Sequence, residues 1–245
     1  ALPMSAFAWT SEEGVSCTSS FRDYYVGSDG GYYRSKSSYS FIVYDSDGNT
    51  SVRTISAGNA KRKYLMTDSS GTHQVYCVES GIDFNTGNSY VSKNGKNSSY
   101  FRKLPTEAQF GVMMALMYGW HEGKSSPVAG TNTDDYAFAT QTIIWEYQQQ
   151  LRTSPSDLHS ANGIDADTYC YSLKGRPAEK CYDWILSQMA SHYTIPSFAA
   201  RNQNKADTYT LKYNPDKQNY SLTLTDTNNT LANLSLSASG IKVSR

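Results

Sequence analysis

The sequence predicts an α+β fold, and the changing period of its apolar residues carries that prediction. Alternation at period two runs from about Gly14 to Ile82, gives way to helical spacing from Leu104 to His192, and returns from Asp207 onward. The order of strands, helices and strands predicts a β-sandwich or barrel-like part built from N- and C-terminal strands, with a helical subdomain set into the chain. The expected organisation is one domain over 1–245: mainly β over 1–103, helical over 104–195, and β strands over 206–245.

In the first region, "YSFIVYDSDGNTSVRTI" reads as a hairpin closed at Asp47-Gly48. The Asp45–Asn49 segment lacks the full ligand set and closing glutamate of a calcium loop, so it reads as a plain turn. "THQVYCVESGI" reads as a strand with Val75, Cys77 and Glu79 on one side and Tyr76 and Val78 on the other.

The second region opens with a helix starting at Pro105 and Thr106 and carrying Phe110, Met113, Met114, Met117 and Tyr118 at helical spacing. A second helix follows Asn132 or Thr133 as cap, with Asp134 and Asp135 in its first turn, where the helix dipole favours acids. A short helix is expected around Asp165–Leu173. The last begins near Pro177 with a stripe at Ala178, Cys181, Tyr182, Ile185 and Met189. The third region alternates in "TYTLKYN", "NYSLTLTD" and "LANLSLSASGIKVS".

Composition narrows the function. The 22 basic and 22 acidic residues balance, which argues against a nucleic-acid binder, whose surface would carry a basic surplus. Charged residues make up only 18 %, while tyrosine reaches 20 copies among abundant Ser, Thr and Asn, a surface common in secreted and cell-surface β proteins. No apolar run approaches a membrane span, so no membrane insertion is expected. The start at "ALPMSAFAW" without a signal-peptide pattern is expected of a mature or excised piece of a longer polypeptide. Cys17, Cys77, Cys170 and Cys181 are too scattered for a disulfide scaffold, although Cys170 and Cys181 are close enough in sequence to leave a bridge open. No CxxC or HxxH spacing exists, so neither a metal nor another cofactor is expected.

One residue breaks the pattern of the second helix. In "TNTDDYAFATQTIIWEYQQQ", Gln141 shares a face with Ala137, Phe138, Ile144, Trp145 and Gln148. A carboxamide left unpaired in such a place costs roughly 1–3 kcal/mol. Paired with Cys77 it acquires a chemical use. A thiolate held against an immobilised, desolvated carboxamide can attack it, expel ammonia and leave a Cys–Gln thioester. Fixed proximity supplies roughly 7–11 kcal/mol of such a barrier.

The strand motif Tyr76-Cys77-Val78 and the helix motif Thr140-Gln141-Thr142-Ile143-Ile144-Trp145 together resemble the thioester domains of Gram-positive surface adhesins, whose marker is a Thr-Gln-x-x-Ile-Trp helix paired with an earlier Tyr-Cys strand. The resemblance extends over most of the chain and is that of a compact member. It implies a thioester between Cys77 Sγ and Gln141 Cδ. A lysine amine on a host cell-surface or matrix protein would attack Cδ, form an isopeptide bond to Gln141 and release the Cys77 thiol. Small amines would react in the same way in vitro. The reaction occurs once per molecule, so the chain is not a turnover enzyme. The implied location is the extracellular surface of the bacterial wall, with the anchor elsewhere in the polypeptide.

Tyr76, Phe138, Thr140 and Trp145 are the expected shielding and packing residues beside the bond. Glu79, His73 and His121 are the candidates for proton transfer. Two other classes compete. A Cys77-dependent acyl-transfer enzyme would need a paired His and would leave Gln141 unexplained. A noncovalent carbohydrate- or matrix-binding module suits the tyrosine-rich surface, and its binding would survive Cys77→Ala.

Overall fold

The computed structural model describes residues 14–20, 23–45, 47–78, 80, 84–91, 98, 100–200, 207–230, 240 and 242. Contacts divide the chain into two compact units, Ala1–Met189 and Ala190–Arg245.

The first unit contains a four-stranded antiparallel sheet. Strands β1 (Ser16–Ser20), β4 (Tyr64–Asp68), β5 (Gly71–Val75) and β6 (Ser89–Val91) lie in the order β5-β4-β1-β6. The expected hairpin forms from β2 (Ser38–Tyr44) and β3 (Thr50–Ser56), paired in unbroken register from Ser38 with Ser56 to Tyr44 with Thr50. Asp45 closes it by accepting from the backbone N–H of Asp47 and of Asn49, both at 2.9 Å. A small pair, β7 (Arg152–Ser154) and β8 (Asp157–Leu158), follows the second helix.

The α+β class holds, but among the described residues no sheet closes into a barrel. The strands are short, and β3 is exposed along its whole length, so nothing continues that hairpin into a wall. Small sheets in a loose sandwich-like arrangement take the barrel's place.

Helices α1 (Thr106–Tyr118), α2 (Thr133–Gln148) and α3 (Pro177–Tyr193) begin where the cap chemistry puts them. At α2, Asn132 Oδ1 accepts from the Asp135 N–H and Asp135 Oδ2 accepts from the Asn132 N–H, each at 2.8 Å, a reciprocal capping box. The short helix expected around Asp165–Leu173 is a single 3-10 turn, Cys170–Leu173.

Two expectations about helix faces are corrected. The α1 stripe is only partly inside: Met114 is buried, Phe110, Met117 and Tyr118 are half-buried and Met113 is exposed, while the small residues Ala108, Gly111 and Ala115, with Val112, complete the inner face. Small residues let α1 approach closely: a Cβ on Gly111 would lie 2.0 Å from Tyr147 Cδ1. In α2, burial covers every residue from Asp135 to Gln148, not one stripe. Several of its polar side chains are paired inside, while the buried Trp145 indole N–H has no hydrogen-bond partner among the described residues. Thr142 Oγ1 donates to the Phe138 carbonyl (2.9 Å), and Glu146 meets Arg152 Nε (3.0 Å) and the Tyr182 hydroxyl (2.8 Å). The α3 stripe behaves as read, with Ala178, Cys181, Tyr182, Ile185 and Met189 buried.

In the second unit, β9 (Lys212–Asn214) and β10 (Asn219–Ser221) form a hairpin with each other. Asp226 accepts from the backbone N–H of Ser197 (2.9 Å), Asn228 (3.0 Å) and Thr230 (2.6 Å), tying this unit's loops together. The last alternating stretch, "LANLSLSASGIKVS", lies almost wholly outside the described residues.

Candidate functional site

Strand β5 ends at Val75, so Tyr76, Cys77 and Val78 run beyond the sheet and Cys77 is not within a ladder, as its alternation suggested. Its backbone groups nevertheless have partners. The Cys77 N–H donates to Gln141 Oε1 at 2.8 Å, and Gln141 Nε2 donates to the Cys77 carbonyl at 2.8 Å. The side-chain amide of Gln141 thus does what the backbone of a neighbouring strand would do. Gln141 is fully buried and Cys77 partly so.

The residues expected to shield the bond are each held by contacts of their own. The Tyr76 hydroxyl donates to the Trp120 carbonyl at 2.7 Å, fixing the residue before the cysteine to the end of α1. Thr140 Oγ1 donates to the Tyr136 carbonyl (2.8 Å) and accepts from the Trp120 N–H (2.9 Å), locking the same junction onto α2. Phe138 lies one turn before Gln141 with its ring 4.8 Å from Tyr33 and 5.1 Å from Tyr25. Trp145, one turn after Gln141, is 3 % exposed and packs against Tyr169 (5.4 Å) and Tyr64 (6.5 Å).

The proton-transfer candidates fare differently. His73 Nδ1 is 2.8 Å from Glu122 Oε2 and its Nε2 is 2.9 Å from Ser70 Oγ, in the β4–β5 turn region. His121 follows α1, and burial with nearby Lys124 lowers its pKa. Glu79 lies outside the described residues.

Sequence reasoning missed the groups that do surround the thiol. Tyr64 hydrogen-bonds the Cys77 side chain, and Tyr25, Tyr39, Tyr169 and Lys61 lie within electrostatic reach of it. Burial raises all four tyrosines, so each stays a neutral phenol. Lys61 lies 5.0 Å over the Trp145 ring and 5.1 Å over that of Tyr39, in a narrow cleft also lined by Arg34, Phe138 and Tyr169. Only its neighbours reveal it; in "AKRKYLM" it reads as a surface charge.

The four cysteines form no disulfide. Cys170 lies beside Glu146, and Cys181 Sγ is 3.4 Å from Ser126 Oγ, so the bridge left open by their spacing is absent. Among the described residues no group of three or more His, Cys, Asp or Glu could hold a metal, and no helix is long and apolar enough to cross a membrane.

Residues 74–191 match the family model of the thioester domain, a span just under half of the chain that contains both Cys77 and Gln141. No curated protein matches the chain, and neither does any solved structure. The match supports a thioester-forming adhesin domain in general.

Proposed function

We propose that this chain is a covalent adhesion domain of the Cys–Gln, Thr-Gln-x-x-Ile-Trp type, with the thioester joining Cys77 Sγ to Gln141 Cδ. A lysine amine of a host surface or matrix protein attacks Cδ, an isopeptide bond to Gln141 forms, and the Cys77 thiol leaves. The domain acts once, on the outer surface of a Gram-positive cell.

The observation that carries this reading is the two-bond clamp between the Gln141 carboxamide and the Cys77 backbone. It immobilises the electrophile against the residue that bears the nucleophile, the condition under which proximity lowers a barrier. It also leaves the Cys77 N–H on Oε1, where negative charge develops when Cδ is attacked. The family match over residues 74–191 supports the same chemistry.

A purely structural clamp is the rival, and one observation favours it. Gln149 grips the backbone of Ile42 with the same two bonds and has no thiol to react with. Intact mass separates the two readings. The thioester protein is lighter than its formula by one ammonia, gains methylamine with release of a thiol, and loses both properties in Cys77→Ala. A native mass equal to the formula, with Gln141 unchanged and no methylamine adduct, would leave only the structural clamp.

A further inference from the structure

Thioester formation moves protons as well as bonds. Sγ must lose a proton to attack Cδ, and Nε2 must gain one to leave as ammonia. When an amine later opens the thioester, the transfer runs the other way: the incoming nitrogen sheds a proton and the departing sulfur takes one up.

Among the described groups that interact with Cys77, Tyr25, Tyr39, Tyr64 and Tyr169 are held neutral by burial and cannot serve as bases near neutral pH. Lys61 differs. It projects from the segment before β4, anchored by its own backbone bonds to Tyr25 (3.0 Å) and Tyr33 (2.7 Å), and its amine lies over two ring faces in the cleft beside Trp145. Trp145 is one helical turn from Gln141, so the amine stands next to the shield of the clamp.

We propose that Lys61 is the proton carrier of the Cys77–Gln141 pair. This rests on the thioester reading above. Its neutral amine accepts the Sγ proton as the Sγ–Cδ bond forms, and the resulting ammonium gives that proton to Nε2 as the Cδ–Nε2 bond breaks and ammonia departs. In capture it accepts the proton of the attacking amine and returns it to Sγ as the Cδ–Sγ bond breaks. Atoms and charge balance without any further reactant.

The electrostatics agree with the geometry. Burial lowers the Lys61 ammonium from 10.5 to about 8, while the charge of a Cys77 thiolate pulls it upward. The other titratable or charged groups lining its cleft are Arg34, Tyr39 from β2 and Tyr169. With the sulfur esterified the upward pull is gone, so the amine of the loaded domain titrates at or below about 8.

The test is the rate at which hydroxylamine opens the thioester of the whole chain, followed by intact mass from pH 6 to 10. Hydroxylamine itself loses a proton at the acid end of this range, so each rate is divided by the fraction of uncharged hydroxylamine present. The wild-type rate should rise with pH and level off at or below about 8. Lys61→Arg keeps a cation over Tyr39 and Trp145 but cannot release a proton. It should fold as the wild type does by circular dichroism yet lose about a hundredfold in rate at the plateau. Lys61→Met should lose as much.

A flat wild-type profile overturns the proposal, and so does a Lys61→Arg protein that reacts like the wild type, which would make Lys61 a packing cation. A protein lighter by one ammonia that resists hydroxylamine and shows a titratable Cys77 thiol would mean that Lys61 itself has bonded to Gln141, and would overturn it as well. A wild type that never loses ammonia refutes the thioester reading instead.

Discussion

Gln149 holds Ile42 by the same pair of bonds with which Gln141 holds Cys77: the Ile42 N–H donates to Gln149 Oε1, and Gln149 Nε2 donates to the Ile42 carbonyl at 3.0 Å. Two glutamines, one in the middle of α2 and one capping its C-terminal end, therefore act as surrogate backbone, for the segment beyond β5 and for β2. Their substitution should have separable effects. Gln149→Ala strips both partners from a buried peptide group and should cost roughly 2–4 kcal/mol in denaturant unfolding, with the ammonia loss intact. Gln141→Ala should abolish the ammonia loss. If Gln149→Ala removed it too, the two clamps would not be independent.

Trp145 is buried one turn after Gln141, and Lys61 lies on its ring. Trp145→Phe keeps an aromatic wall but opens space beside the bond. The variant should still lose ammonia, and its thioester should hydrolyse several-fold faster in buffer, because a drier pocket slows water's attack. Equal half-lives for the two proteins would show that the shield lies elsewhere.

Close approach of α1 and α2 rests on Gly111. A methyl there meets the Tyr147 ring, with Cδ1 at 2.0 Å and Cε1 at 2.2 Å, and the buried ring has no space to retreat. Gly111→Ala should destabilise by about 1–3 kcal/mol despite its better helix propensity, as overpacking does. A more stable variant would mean that the helices separate freely.

The start of α3 is tied to the loop before β2 by Arg176, whose guanidinium bonds Asp29 (2.8 and 3.0 Å) and stacks 4.0 Å over Tyr33. The hydrogen bond from Arg176, with the Gly31 N–H, holds the Asp29 carboxyl down from 3.8 to about 2. A depressed carboxylate stabilises the fold above its unfolded pKa and loses that contribution as pH falls through the folded value. Asp29→Asn should therefore melt earlier than the wild type at pH 5, and the gap should close between about 4 and 2. Because the pair is partly exposed, salt should narrow the gap. A gap unchanged at pH 2 would rule out the charge as its source.

The legible parts of this fold were those set by local chemistry. Asn132 with Asp135 announced the start of α2, Asp47-Gly48 the hairpin, and the spacing from Ala178 to Met189 the inner face of α3. Gln141 drew notice because a polar residue stood where apolar ones were expected, and its bonds to the Cys77 backbone followed from no pattern in the sequence. What escaped was set by partners distant in sequence. Alternation through "THQVYCVESG" looks the same whether the ladder ends at Val75 or beyond it, and only the arriving carboxamide decides. Lys61 is unreadable for a related reason: its neighbours Tyr39 and Trp145 lie far along the chain, and no period links them to it. In α1 the helical spacing located Met114 inside but not the close approach at Gly111, which depends on the Tyr147 ring of α2.

The enclosure of α2 has a mechanical meaning. A tether at Gln141 would deliver tension to the middle of a helix, about two turns from either end. Because Asp135 to Gln148 is walled in throughout, the helix cannot be peeled away from one end with its bonds failing in turn. Pulling on it would strain together the Gln149 grip on Ile42, the Gln148 bond to Ser80 and the Glu146–Arg152 pair. Fasteners arranged in parallel share a tug, and those arranged in series do not. A tether there would thus pull on a segment that can yield only by breaking these bonds at once.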